Sequence, residues 1–296
     1  MSANPLKLLF IINPGAGNKK TDWKKEIEAH FSSLPHTAEL YDLPEQCDPE
    51  TIGEAIRTAK PDRVIAVGGD GTLKLVAGLL QGSSVPVGLL PAGSANGMAK
   101  ELGIPQQPAA ALDTTINGRV KKIHLVRINE ELCIHLSDIG FNAFVVKKFE
   151  DEGTRGMWGY VKAAWKVLWS HSKLKVEIKA DDDYIVREAA MVVIANGTQY
   201  GTGVTINPEG SLDDAQFEVV IIKKISFGEI IKMRFTHRPY HPAKTELLQT
   251  KSLKISSRHR VHFQVDGEYR GRVNTVKAEI IPSALHILVP EDKENG

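Results

Sequence analysis

The stretch Val64-Ile65-Ala66-Val67-Gly68-Gly69-Asp70-Gly71-Thr72 decides how the rest of this chain is read. Four apolar residues run into three glycines, an aspartate and a threonine, and Leu73-Lys74-Leu75-Val76-Ala77 follows. The pattern predicts a buried strand, a tight turn and a helix from Leu73 to Leu80. Glycines at such a turn let backbone N–H groups approach an anion, and the following helix N-terminus adds positive dipole. Asp70 puts a negative charge where phosphates would sit. It makes sense with a cation between them, or as the residue that orders the loop or a ribose. On its own the stretch also reads as a plain glycine turn.

Working outward, two further strands end in similar loops. Leu6 to Ile12 runs into Asn13-Pro14-Gly15-Ala16-Gly17-Asn18-Lys19-Lys20, and Val85 to Leu90 runs into Pro91-Ala92-Gly93-Ser94-Ala95-Asn96-Gly97. Between them the spacing predicts a helix over Asp22–Phe31, a strand over Thr37–Leu43 and a helix from Pro49 to about Lys60 capped by Asp48. Strand and helix alternate, which predicts a parallel sheet with helices on its faces. Three such loops would converge at the carboxyl edge of that sheet, where open α/β sheets place their ligands. A phosphate-rich ligand follows.

From about Lys121 the texture changes to short β-branched runs separated by turns: Ile123–Ile128, Leu132–Leu136, Lys175–Ile178, Ala189–Ala195, Phe217–Ile222, Leu253–Ile255, Val261–Val265, Lys277–Ile280 and Leu285–Val289. This predicts a largely antiparallel β domain. The domain reading is residues 1–120, α/β and nucleotide-binding; 121–284, β-rich; and 285–296, a last strand and tail that can return to the first domain. One helix, Gly159–Ser170, interrupts the β texture. Trp158, Val161, Trp165, Leu168 and Trp169 share its face, flanked by Lys162, Lys166 and Lys173. Either that face packs on the β domain or part of it rims an acyl-chain site at a membrane surface.

Composition sets the bounds. The chain has 296 residues, 42% hydrophobic and 25% charged, with a net charge of +1, which argues against a general nucleic-acid binder. Arg119 to Leu285 holds 26 Lys and Arg against 20 Asp and Glu, a basic bias that suits an anionic partner. Cys47 and Cys133 are the only cysteines, which suggests a reducing compartment. No secretory signal and no apolar run of about 18 residues is visible, so the expectation is a cytoplasmic protein with at most peripheral membrane contact. His237 and His241 flank a turn, and His259 and His262 alternate with Arg258 and Arg260 on a solvated strand face, with headgroup contact as the lesser role. Neither pair reads as a metal site.

Gly68-Gly69-Asp70-Gly71-Thr72 followed by Leu90-Pro91-Ala92-Gly93-Ser94-Ala95-Asn96 resembles the diacylglycerol kinase catalytic-domain family, which includes soluble bacterial lipid kinases and the sphingosine and ceramide kinases. Asn13-Pro14 with Gly17 resembles its first nucleotide loop, and Ile139-Gly140-Phe141-Asn142-Ala143 the segment opening its second domain. Asn196-Gly197, Tyr200-Gly201-Thr202-Gly203, Asn207-Pro208 and Leu212-Asp213-Asp214 resemble its metal-bearing region, and Val265-Asp266-Gly267-Glu268 its Asp-Gly-Glu segment. The order holds over nearly the whole chain.

The resemblance implies a nucleotide-binding α/β domain, a β-rich sandwich domain and an active site in the cleft between them, with transfer of the ATP γ-phosphate to a lipid hydroxyl. Asn13, Pro14, Gly15, Ala16, Gly17, Gly68, Gly69, Asp70, Gly71, Thr72, Gly93, Ser94 and Asn96 would meet the nucleotide. Asp70 would organise Mg²⁺-ATP, and Glu268 or Asp266 would take the hydroxyl proton. Val-Asp-Gly-Glu between strands is also ordinary hairpin sequence. A second Mg²⁺ is implied at Ser211, Asp214 and Gln216, through one carboxylate and two main-chain carbonyls. The expected partner is a lipid at a membrane surface, and a homodimer is compatible with the sequence.

Several positions depart from the family pattern: Lys74 and Leu75 for Asn-Glu, Gly97 and Asn142 for Asp, and Ala215 for Gly. They leave the acceptor lipid open. The rivals are another Gly-Gly-Asp-Gly kinase, such as NAD kinase or phosphofructokinase, and a non-catalytic lipid- or nucleotide-binding member. The first strand carries no Gly-x-Gly-x-x-Gly with an acid about twenty residues later, which argues against a classical Rossmann dehydrogenase.

Overall fold

The computed structural model describes residues 4–17, 21–46, 48–141, 143–146, 173–200, 204–205, 207, 210–225 and 241–291. The chain divides into two compact units, Met1–Ile123 with Ser283–Gly296, and His124–Pro282.

In the first unit the elements run β1 (Lys7–Ile12), α1 (Trp23–Phe31), β2 (Thr37–Asp42), α2 (Pro49–Ala59), β3 (Arg63–Gly68), α3 (Asp70–Leu80), β4 (Val87–Pro91), α4 (Gly97–Glu101) and α5 (Pro108–Asn117). The strands pair in parallel in the order β2-β1-β3-β4. From Val64 to Val67 every side chain of β3 is buried, as a sheet covered on both faces requires. Leu8, Phe10, Ile12, Ile65, Val67 and Leu90 meet Trp23, Ile27 and Phe31 of α1 and Leu112 of α5 in one core. Phe10 meets Phe31 edge-on, ring centroids 5.5 Å apart. The Asp48 cap forms as expected: its carboxylate accepts the Glu50 N–H at 3.1 Å and the Thr51 hydroxyl at 2.9 Å. Lys60 ends α2 in the left-handed region at φ 47°.

The second unit opens within β5 (Arg119–Ile128) and continues through β6 (Glu131–Cys133), β7 (Leu136–Gly140), β8 (Leu174–Ala180), β9 (Asp183–Ala189), β10 (Met191–Ala195), the two-residue strands β11 (Gln199–Tyr200) and β12 (Val204–Thr205), β13 (Phe217–Ile222), β14 (Thr245–Thr250), β15 (Ser252–Val265) and β16 (Glu268–Val289). Antiparallel pairing joins β14, β13, β10, β7, β15 and β16 in that order. The first half of β15 pairs with β8, whose other edge carries β9. A core with Phe217, Val219, Ile221, Ile178, Ile255, Phe263 and Val265 fills the interior. Arg187 of β9 grips Glu246 of β14, Nη2 to Oε1 2.7 Å, and ties two strands distant in the pairing order. The end of β16 lies in the first unit, where Ile287 pairs in parallel with Val87.

The parallel α/β unit and the antiparallel unit match the expected fold class. Several details differ. Helix α3 begins at Asp70 rather than Leu73, because Gly69 serves as its N-cap and an acid favours the first turn. The runs Leu253–Ile255 and Val261–Val265 belong to one strand, and so do Lys277–Ile280 and Leu285–Val289. A bulge between Ser256 and Val261 absorbs the charged residues that look like a break. The strands β9 and β14 have no counterpart in the sequence reading: polar and charged residues interrupt the apolar run of β9, and β14 is half-buried along most of its length without alternating. The tryptophan helix over 159–170 lies outside the described residues, as do Asn18, Lys19, Lys20, Asn142, residues 201–203, Pro208 and His237. Among the described residues no helix is long and apolar enough to cross a membrane.

Candidate active site

In the first unit the three glycine loops meet backbone to backbone. Asn13 is hydrogen-bonded from its N–H to the Val67 carbonyl at 3.0 Å, and its Nδ2 donates to the Thr72 hydroxyl at 3.2 Å. Its Oδ1 accepts the Gly15 N–H at 3.0 Å. One side chain thus fixes the first loop to the second. Ala92 donates to the Gly68 carbonyl at 2.9 Å, which joins the second loop to the third. Contact is tight enough to demand glycine. A Cβ on Gly17, at φ +64°, would fall 2.0 Å from the Ala92 carbonyl oxygen, and one on Gly93 would fall 2.5 Å from the Gly69 Cα.

Asp70 faces the third loop. Its carboxylate accepts the backbone N–H groups of Gly97 and Met98, both at 2.9 Å, in the first turn of α4. Of the roles open to it in the sequence, ordering the loop is therefore seen directly. Asn96, at φ 51°, closes its own loop: Oδ1 accepts the Gly93 N–H at 2.9 Å and Nδ2 donates to the Gly93 carbonyl at 3.0 Å. Pro14, Gly15, Gly71 and Ser94 are exposed, Ala16 is half-buried and Thr72 is buried. The first turn of α3 leaves backbone N–H groups without intrahelical partners. Amide donors, a helix start and a hydroxyl at Ser94 make an anion-binding edge.

In the second unit Asp266 and Gly267 form the two-residue turn between β15 and β16, with Val265 opposite Glu268. Positive φ at both, 50° and 84°, marks a type I′ hairpin, so the hairpin reading of this segment is met. The Asp266 carboxylate is enclosed by the chain leaving β6. It accepts the N–H groups of Ile134, His135 and Leu136 at 3.2, 2.9 and 3.3 Å, and the Cys133 thiol lies 3.4 Å away. Asp266 anchors the turn. Glu268 instead is exposed, paired with Arg270, whose Nε meets Glu131 at 2.7 Å.

A buried polar chain reaches the same turn from behind. Asp138, Ser137 and Gln264 are fully buried. The Asp138 carboxylate accepts the Ala143 N–H at 2.8 Å and the Gln264 amide N–H, and Gln264 Oε1 accepts the Gly267 N–H at 2.7 Å. The sequence reading missed Asp138 and Gln264. The signal is there: a polar residue in an otherwise apolar strand run is buried only with partners. His262, expected on a solvated face, is half-buried, stacked on Phe144 with centroids 4.5 Å apart and bonded to the Tyr269 hydroxyl at 2.8 Å. A hairpin turn brought Tyr269 back beside it.

The turn with Ser211, Asp214 and Gln216 offers hard oxygens. Ser211 is bonded to Asp213, so the Asp214 carboxylate, which accepts the Gln216 N–H at 3.1 Å, is the one left for a cation. Asn207 Oδ1, a few residues earlier, is buried without a partner among the described residues. A carboxylate, main-chain carbonyls and an unsatisfied amide oxygen fit Mg²⁺ chemistry. Among the described residues no three acids, histidines or cysteines cluster as a side-chain metal site. Ala215 holds the turn at φ 58°. Glu218 lies behind it; burial pushes its carboxyl above the usual range, against Gln249 and Asn207 Nδ2, which donate at 3.2 and 2.6 Å.

Comparison with known proteins identifies the family and the fold. The diacylglycerol kinase catalytic domain family matches residues 7–128, and the YegS C-terminal NAD kinase beta sandwich-like domain matches residues 137–289. The chain is 30% identical over 250 residues to a "Probable lipid kinase YegS-like" of Klebsiella pneumoniae, covering 81% of this chain and 82% of that one. It is 27% identical over 281 residues to a "Diacylglycerol kinase" of Bacillus subtilis, covering 87% and 92%. A crystal structure of a diacylglycerol kinase from Bacillus anthracis shares the fold, with TM-score 0.72 at 20% identity over 98% of this chain and 99% of that one. The chain belongs to the diacylglycerol kinase catalytic-domain family of lipid kinases.

Proposed function

We propose that this protein is an ATP-dependent lipid kinase that transfers the γ-phosphate to a lipid hydroxyl. The observation that carries the reading is the joining of three glycine loops at the ends of β1, β3 and β4, with Asp70 locking the third to the second. Phosphoryl transfer needs positioning and charge neutralisation more than covalent help from the protein. Exposed amides of the loops receive the nucleotide phosphates, and the Ser94 hydroxyl adds a donor. Glu268 accepts the proton of the attacking lipid hydroxyl as its oxygen bonds the γ-phosphorus and ADP departs. Its exposure leaves it open to an acceptor, while the enclosed Asp266 holds its turn. Bound Mg²⁺ supplies further neutralisation of phosphate charge; Asp214 with the Ser211 and Gln216 carbonyls would hold a structural ion. The acceptor is a lipid alcohol presented at a membrane surface.

Incubation of purified protein with labelled ATP, Mg²⁺ and a total lipid extract, alongside NAD and sugar phosphate as acceptors, tests the reading. A labelled lipid phosphate is the expected product. Label in NAD or the sugar, and none in lipid, overturns it.

A further inference from the structure

Beyond the Asp266–Gly267 turn, the ribbon of β15 and β16 carries exposed Arg258, His259 and Arg260 on one strand and Arg272 on the other. The strands shift register between Ser256 and Val261. A bulge of this kind leaves ladder groups without strand partners. Two arginines fill the gap reciprocally. Arg260 Nε donates to the Arg272 carbonyl at 2.9 Å, Arg272 Nε donates to the Arg260 carbonyl at 3.1 Å, and an Nη2 of each joins the same oxygen. Two guanidinium groups are thus fixed on one short piece of ribbon by neutral oxygens.

Two other arginines of this unit are neutralised. Arg270 pairs with Glu131 and Glu268, and Arg187 with Glu246. Among the described residues, no carboxylate forms an ion pair with Arg258, Arg260 or Arg272. Across the neighbouring strand, Glu177 sits opposite Ser256, and Lys175 follows it toward Arg258. A guanidinium has five N–H donors in a fork that matches phosphate oxygens. Arg260 and Arg272 each use two, so three remain. Because the forks are already held in place, less freedom is lost when a phosphate arrives.

We propose that Arg258, Arg260 and Arg272 form a docking face for an anionic lipid bilayer. The proposal rests on the lipid-kinase reading, which places the acceptor hydroxyl in a membrane. The face lies on the β15–β16 ribbon, whose second strand begins with Glu268. Glu268 and Arg272 are four positions apart on β16, within about 13 Å at strand spacing, with a register shift between them. The charges are strung along an exposed ribbon rather than gathered into a pocket, which suits a surface of many phosphates better than one free anion.

The test is sedimentation of the full chain with phosphatidylcholine vesicles, with and without about one third phosphatidylglycerol. The wild type is expected to bind the anionic vesicles at least about tenfold more tightly, and the preference is expected to collapse at high salt. Arg258, whose side chain makes no hydrogen bond among the described residues, is replaced first: Arg258→Gln is expected to weaken binding about fivefold, and Arg258→Gln with Arg272→Gln about 25-fold. Arg260→Lys with Arg272→Lys keeps the charge but loses the held forks, and is expected to weaken binding by more than about twofold but by less than the double glutamine variant; binding equal to wild type overturns the role of the forks. Equal binding to neutral and anionic vesicles overturns the proposal, as does an Arg258→Gln chain that binds like wild type. Tighter binding of a single-stranded oligonucleotide at the same salt overturns it in favour of nucleic acid. Vesicle binding without phosphorylation of any lipid sinks the kinase reading and leaves the docking face standing.

Discussion

The Asp70 carboxylate accepts the backbone N–H of Gly97 at 2.9 Å, and that bond holds two of the three glycine loops in register. Its second oxygen takes the Met98 N–H at the same distance. Asp70→Asn exchanges one acceptor for an NH₂ that faces a backbone N–H. The expected result is at least about tenfold weaker ATP binding by calorimetry, with the second unit's fold unchanged. Unaltered ATP affinity would show that this bond does not order the phosphate edge.

Asp138 sets which way the Gln264 amide points. A carboxylate accepts from Nε2, so Oε1 is left to meet the Gly267 N–H. Asp138→Asn removes that dictate and frees the turn before Glu268. A fall of about ten- to a hundredfold in kcat is expected, with KM for ATP unchanged. Asp138→Asn combined with Gln264→Glu restores acceptors facing both partners and is expected to recover most of the rate. A double variant no better than the single one contradicts this polarity argument.

Ala215 sits at φ 58° in the acidic turn. A Cβ in the left-handed region costs about 1–2 kcal/mol, and glycine gives back part of that through its freer unfolded chain. Ala215→Gly is expected to raise unfolding stability by about 0.5–1 kcal/mol in urea titration. A loss of stability would mean the alanine methyl contributes packing that outweighs the strain.

Glu246 supplies the pH test. Its hydrogen bonds from Arg187 hold its carboxyl below the usual glutamate range, and Lys223 adds to the effect. A depressed acid contributes stability that is present above its unfolded value, about 4.3, and is lost as pH falls through the folded one. Glu246→Gln is expected to melt lower than wild type at pH 7, by no more than about 1 kcal/mol at so accessible a pair. The gap is expected to close below about pH 4. A constant gap from pH 7 to 3 contradicts the ion-pair account.

Much of this was legible in the residues. Apolar runs ending in glycines announced β1, β3 and β4, and Asp48-Pro49 announced α2, because caps and buried strands are local codes. What each site residue does to its neighbours was not local. Asp70 was readable as a charge near phosphates, but its partners are 27 and 28 positions away. Asp266 and Glu268 looked interchangeable as bases until folding enclosed the first against residues 134–136, more than a hundred positions earlier, and left the second exposed. Arg260 read only as one charge on a solvated strand face, and Arg272 carried no local signal. Only the register shift turns them into a reciprocal clasp.

The central claim is γ-phosphate transfer from ATP to a lipid hydroxyl, with loops organised by Asp70 and a proton taken by Glu268. Its most direct test is label transfer from γ-labelled ATP to lipid in mixed micelles by wild type, Asp70→Ala and Glu268→Gln. The account predicts a labelled lipid phosphate from wild type, little from either variant, and ATP binding retained in Glu268→Gln. Full label transfer by Glu268→Gln, or ATP binding by wild type with no labelled lipid, would contradict it.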